Sequence, residues 1–273
     1  MLRPRSLNLA IAAVLLLGIG LAAWWMTRWE HQPVSDETVA ETRPPLGLYT
    51  SLPIYWDEAA DIGEMLSADS GKHWVREVLE SRYELRPVDV LSYDSLAGLE
   101  FLLIAQPRIL APQENVALDD WVRTGGRLML FADPLLTEES RFPIGDPRRP
   151  QDVVLISPIL ARWGLDLQYD PGQAPAPRSV SFVGTKVPVH LFGTFAMQGT
   201  AQDAPADCNV TGAKVLVWCD IGEGRVLAVA DAALLNASRT RLDAMVEMAD
   251  PEIDPESVLM KLVETVFHGS VRF

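Results

Sequence analysis

From Leu7 to Met26 the chain runs almost entirely through Leu, Ile, Ala, Val and Gly with no charged side chain, and this constrains it more than any other feature. About 20 such residues, at about 1.5 Å rise each, cross the roughly 30 Å hydrocarbon core of a bilayer as a helix. Arg3 and Arg5 precede the run, whereas only Arg28 follows closely, with Glu30 beside it. The positive-inside bias then leaves the N-terminus in the cytoplasm and the remainder outside. Trp24, Trp25 and Trp29 fall where indoles suit the headgroup layer. A cleaved signal peptide would need a shorter apolar region and small residues at its cleavage site; Leu21-Ala22-Ala23 matches poorly and tryptophans follow at once. A buried core helix is a third reading, but a polar stretch rich in Glu and Pro, His31 to Pro45, separates the run from the rest. The expected organisation is a cytoplasmic N-terminus (1–6), a transmembrane anchor (7–26), a juxtamembrane stalk (27–45) and an extracytoplasmic domain (46–273). The protein would be single-pass in the inner, cytoplasmic membrane, with its domain in the periplasm or outside.

The domain is long enough to bury a sizeable core. The formal net charge is -14 and the anchor region contributes positive charge, so the outer part is more acidic still. Nucleic acid is excluded as a partner, because binding phosphates needs clustered Lys and Arg. Two cysteines occur, Cys208 and Cys219, both in the outer part. An oxidising compartment favours a disulfide; spacing alone does not establish its geometry, and two separate buried thiols are the alternative. No histidine falls near them at ligand spacing, so no metal site is expected.

Leu46 to Leu52 reads as a buried strand broken by Pro53, and His73 to Ser81 as an amphipathic helix. Tyr83 to Val90 alternates as a strand, and Phe101 to Ala105 is an apolar strand stopped at Gln106-Pro107. Glu114 to Thr124 is helical and ends at Gly125-Gly126; Arg127 to Ala132 is a strand ending at Asp133-Pro134. This rhythm predicts a mostly parallel α/β sheet with helices on its faces. Thr137 to Pro150 reads as an exposed loop, Ser157 to Trp163 as a short helix, Ser179 to Met197 as strands or a hairpin, and Gly199 to Asp207 as a turn region. Lys214 to Cys219 and Arg225 to Ala230, joined through Ile221-Gly-Glu-Gly224, predict an added β-hairpin, and Pro255 to Phe267 a closing helix.

In an open parallel sheet, ligands bind beyond the carboxyl ends of the strands. Those ends are Thr50 and Ser51, Gln106, Asp133, and Asp231 with Asn236 a little beyond; the loop after the first strand adds Tyr55, Trp56 and Asp57. Together they predict an acidic, aromatic-edged crevice for a ligand or partner. The alternative for Asp133 and Asp231 is capping of the turn that follows each. No catalytic set is found. No histidine stands at a strand end beside a nucleophile, and the phosphate-loop, dinucleotide, nucleophile-elbow and zinc-protease motifs are absent. A hydrolase pairing Asp133 with Asp231 is the remaining catalytic alternative. No cofactor is expected.

Three stretches carry a family resemblance. They are Leu48-Tyr-Thr-Ser-Leu-Pro53 with Tyr55-Trp56; Leu118-Asp-Asp-Trp-Val-Arg-Thr-Gly-Gly-Arg-Leu-Met-Leu-Phe-Ala-Asp-Pro134; and Gly222-Glu-Gly-Arg-Val-Leu-Ala-Val-Ala-Asp231 through Leu235-Asn236. Together they resemble the extracytoplasmic domains of gliding-motility-type ABC transporter auxiliary proteins and their uncharacterised membrane-anchored relatives. The resemblance implies a flavodoxin-like sheet similar to that of class I glutamine amidotransferases, used for binding and not for amide hydrolysis. The chain departs from the catalytic amidotransferases in having no Cys-His-Glu set, and from the larger auxiliaries in lacking a second, C-terminal hydrophobic helix. The expected function is a non-enzymatic accessory protein of an ABC-type or envelope system, with an ABC permease or another envelope protein as partner. The alternatives are an envelope-directed hydrolase and a purely scaffolding domain.

Overall fold

The computed structural model describes residues 24–25, 43–56, 58, 72–198, 206–236, 238–269 and 271. The chain divides into residues 1–42, of which only Trp24 and Trp25 are described, and residues 43–273. Nearly all of the expected transmembrane run and stalk thus lies outside the described residues. Among the described residues no helix is long and apolar enough to cross a membrane.

In the second unit, one central sheet is built from β1 (Pro45–Thr50), β2 (Glu84–Pro87), β3 (Phe101–Ala105) and β4 (Arg127–Phe131), followed later by β9 (Asp207–Thr211), β10 (Leu216–Ile221) and β11 (Gly224–Val229), with apolar runs in its inner strands and more polar sequences at the edges β2 and β9. Their spatial order is β2-β1-β3-β4-β11-β10-β9. The first five in that order pair in parallel, while β10 runs antiparallel to both of its neighbours. Every residue of β3 is buried, as a central parallel strand covered on both faces requires. Beside this sheet stand two antiparallel ribbons, β5 (Leu165–Tyr169) with β8 (Gly193–Met197), and β6 (Arg178–Phe182) with β7 (Thr185–Val189).

The helices are α1 (Trp74–Glu80), α2 (Tyr93–Leu96), α3 (Pro112–Arg123), α4 (Ser157–Arg162), α5 (Arg239–Ala249) and α6 (Pro255–His268), with a 3-10 turn at Ala233–Leu235. From β1 the chain crosses outward to β2 through α1, and from β3 it crosses the other way to β4 through α3. Right-handed crossovers in opposite directions place their helices on opposite faces of the sheet. Accordingly α1 packs with α6, while α3 packs with α2 and α4.

The ends of α3 show how sequence sets local structure. Pro112 occupies the first turn, and the Glu114 carboxylate accepts the backbone N–H groups of Ala111 (2.8 Å) and Leu91 (3.1 Å). At the far end Gly125 takes φ +113°, with Gly125 N donating to Val122 O and Gly126 N to Trp121 O. These two bonds are a Schellman stop.

The β10–β11 hairpin turns at Gly222 and Glu223, and this turn sits directly on the end of α3. Glu223 N donates to Arg123 O at 3.0 Å, and a Cβ on Gly224 would stand 2.0 Å from Val122 O. The Gly-Glu-Gly motif therefore serves close backbone approach. On the other side of β10, Cys208 and Cys219 occupy directly paired positions and are joined as a disulfide, fixing the edge strand β9.

Candidate functional site at the carboxyl edge of the sheet

The carboxyl ends of β1, β3, β4 and β11 are tied together by side chains that follow each strand. Gln106, at φ +44°, is fully buried just beyond β3. Its side-chain amide pairs with the backbone of Asp133: Oε1 accepts Asp133 N at 2.9 Å and Nε2 donates to Asp133 O at 3.0 Å. Nε2 also donates to Gln151 O at 2.6 Å. Ser51 Oγ donates to Gln106 O and accepts Gln151 N at 3.1 Å. Ser51 and Gln106 thus join β1, β3, β4 and the loop at Gln151.

Asp133 and Asp231 follow neighbouring strands, β4 and β11, which pair in register up to Phe131 and Val229. Their residues are 0% and 2% exposed. Asp133 Oδ1 accepts Leu135 N at 2.8 Å and Oδ2 accepts Ala232 N at 3.2 Å. Asp231 Oδ1 accepts Ala233 N at 2.7 Å and Oδ2 accepts His190 N at 2.8 Å. Burial raises the Asp133 carboxyl to about 6, against the pull of its two amide bonds. Burial, and then the neighbouring Asp133 charge, raise Asp231 well above the ordinary carboxylate range. Both carboxyls are therefore harder to ionise than an ordinary aspartate, and together they anchor three loops.

Asn236 closes the 3-10 turn. Its carbonyl accepts the Trp74 indole N–H at 3.0 Å, and its Oδ1 accepts Ser238 N at 2.9 Å. Nearby, His73 Nδ1 accepts Val75 N at 3.1 Å at the start of α1, so the imidazole proton sits on Nε2; burial lowers this histidine to about 4.

The aromatic part of the predicted crevice is open to solvent. Tyr55 and Trp56 meet edge to face at 5.0 Å, and the Arg76 guanidinium lies 4.1 Å over the Tyr55 ring while donating to Tyr55 O at 2.9 Å. Trp56 is 64% exposed. Together with Ser51 these rings line a cleft of about 290 Å³ beyond β1 and β2, which Glu58, Asp89 and Arg148 complete. Arg148 stacks 4.1 Å from Phe142 and pairs with Asp146 at 2.8 Å. The structure thus divides the expected crevice. Ser51, Tyr55 and Trp56 meet at an open cleft, Gln106, Asp133 and Asp231 lie beneath as a buried frame, Asn236 borders a different groove, and Asp57 lies outside the described residues. Asp89 and Arg148 were not anticipated; a charged loop rich in Arg and Pro was the only pointer to Arg148. Among the described residues no group of three or more His, Cys, Asp or Glu side chains could hold a metal ion.

Residues 43–178 match the family model described as an ABC-type uncharacterized transport system. The matched segment is just under half of the chain. No curated protein matches the chain. Among solved structures, an exo-β-1,4-mannosidase, Op5Man5, from Opitutaceae bacterium strain TAV5 is similar with TM-score 0.47 and 15% identity over 83% of this chain and 37% of that one. A cytoplasmic protein of Salmonella typhimurium LT2 is similar with TM-score 0.47 and 10% identity, over 72% and 88% of the two chains. A β-galactosidase from Rahnella sp. R3 gives TM-score 0.40 and 14% identity, over 76% and 32%. The chain spans only about a third of the length of either glycosidase, and likeness at these scores says nothing of activity.

Proposed function

We propose that this chain is a single-span, membrane-anchored auxiliary component of an ABC-type transport system, similar to the gliding-motility type, that works by binding and not by catalysis. The family match over residues 43–178 carries this reading, since it takes in β1 to β5 and with them the Tyr55–Trp56 cleft. The order β2-β1-β3-β4-β11 of the parallel strands supports a flavodoxin-like domain of the class I glutamine amidotransferase kind. The apolar run of residues 7–26 supports an anchor in the cytoplasmic membrane, and the Cys208–Cys219 disulfide supports a domain on its outer, oxidising side.

In this reading Tyr55, Trp56 and Asp57 meet the partner, a permease subunit or another envelope protein. Ser51, Gln106, Asp133 and Asp231 hold the edge that presents them, and Asn236 holds the turn beside it. A hydrolase using Asp133 and Asp231 is less well supported, because all four carboxylate oxygens accept backbone N–H groups in a buried setting. Affinity capture of the full-length chain from native membranes in mild detergent, with mass spectrometry, tests the proposal. A permease or ATPase of the ABC class should co-purify; its absence, repeated after crosslinking, would overturn the assignment.

A further inference from the structure

Beyond the end of β11, α5 stands apart from the loop between β5 and β6 and leaves a groove of about 800 Å³. Leu242, Met245 and Met248 of α5 form one wall, and Pro175 and Pro177 the other. Ala233 and His190 also line it, and these are the two residues whose amides are fixed by Asp231. The groove is therefore built beside backbone that Asp231 holds in place. Met248 is 66% exposed at the groove and Met245 is buried.

Among the described residues the polar lining consists of Thr137, His190, Asn236 and Arg241, and the charges of Glu139 and Glu138 act on the Arg241 guanidinium from outside that lining. His190 Nε2 lies 3.0 Å from Pro175 O; a carbonyl only accepts, so Nε2 is the donor. Arg241 supplies a guanidinium to this lining. It is ion-paired with Glu139, and the two side chains are 42% and 77% exposed, so that pair is weak and readily exchanged for another carboxylate. A concave site of this volume, mostly apolar with a few convergent polar groups, suits a small ligand and not a flat protein surface. Unbranched thioether walls adapt to an unbranched chain, and one planar guanidinium matches one carboxylate.

We propose that this groove binds an aliphatic carboxylate, its chain lying between Met245, Met248 and the Pro175–Pro177 loop and its head on Arg241. The inference stands apart from the transporter assignment, and failure of either leaves the other in place.

The test uses the full-length chain in nanodiscs and a fatty acid bearing a diazirine on its chain, with the labelled peptides mapped by mass spectrometry. Saturable labelling is expected on the segment holding Met245 and Met248. Laurate should compete at least about tenfold better than dodecylamine, and Arg241→Gln should weaken labelling by about tenfold. Met248→Asp, at an exposed position, should abolish it. Labelling that does not saturate, that falls elsewhere, or that the cation competes equally well would overturn the proposal. So would labelling unchanged in both variants. Should a variant fail to fold, the competition on the unmodified chain still decides.

Discussion

Asp133 and Asp231 sit at matching positions beyond two adjacent parallel strands, and each gives one oxygen to the amide two residues ahead and the other to an amide from a distant segment. Two buried carboxyls in this relation resist ionising together. Their raised proton affinity makes part of the stability depend on pH. The native state holds a proton on Asp133 up to about pH 6, whereas the unfolded chain releases it near 3.8. Its contribution is therefore full below about pH 4 and is lost as pH rises through about 6. Relative to the unmodified chain, Asp133→Asn should become progressively less unstable from pH 4 to pH 7 in urea melts. A difference that is flat with pH would contradict this account of the pair.

His73 works in the opposite sense. Its folded value near 4 lies below the ordinary 6.5, so its contribution is present above about pH 6.5 and is lost as pH falls toward 4. His73→Gln, which keeps an acceptor for Val75 N, should remove that acid sensitivity. Parallel urea melts at pH 4.5 and 7 would show the variant losing less stability on acidification than the unmodified chain.

Asp119, fully buried in α3, accepts the Trp163 indole N–H at 2.9 Å, Arg162 at 2.6 Å and Arg123 at 3.0 Å, and so joins α3 to α4. Asp119→Ala leaves the buried indole N–H without a partner and should cost about 3 kcal/mol in chemical denaturation. Asp119→Asn, which keeps an acceptor, should recover part of it.

Gly224→Ala tests the contact between the hairpin and α3. The added methyl would meet Val122 O and Gly126 O, both backbone atoms that cannot swing away. A loss of about 2 kcal/mol or more is expected, with little change for Glu223→Ala at the same turn.

Reduction tests the edge strand. The disulfide closes a short loop, with a sequence separation of 11, and bridges of this size contribute about 3 kcal/mol. Dithiothreitol should lower the melting temperature and expose the segment around β9 to limited proteolysis, while the parallel strands stay protected.

The parts of this fold that read directly from the sequence are those where one physical pattern acts alone. Phe101–Ala105 and Arg127–Phe131 are short apolar runs closed by Gln-Pro and Asp-Pro, and Gly125-Gly126 marks the end of α3. The helix α5 was not visible, because Arg239–Ala249 buries only Leu242, Met245 and Val246 and its other positions are mostly charged or small. β9 was hidden for a similar reason: Asp207–Thr211 is a polar edge strand recognisable only by its pairing with β10.

At the candidate site, the strand-end positions were legible and their accessibility was not. Trp56 lies in the loop beyond β1 and Asp133 just beyond β4, yet one is 64% exposed and the other fully buried. Loops distant in sequence decide this, through bonds such as Val154 N to Asp133 O at 3.1 Å. The groove beside α5 left no local trace, since its walls come from residues near 175, 190, 233 and 245.

The most direct measurement places a photo-crosslinking amino acid at position 56 of the full-length chain in its native membrane and identifies what it captures. Truncating an exposed tryptophan in a loop changes stability little, so the substituted domain should fold. The account predicts an adduct with a permease subunit or another component of an ABC-type transport system, weakened by Tyr55→Ala. Adducts with no such component, while an exposed control position such as 144 labels equally well, would contradict it.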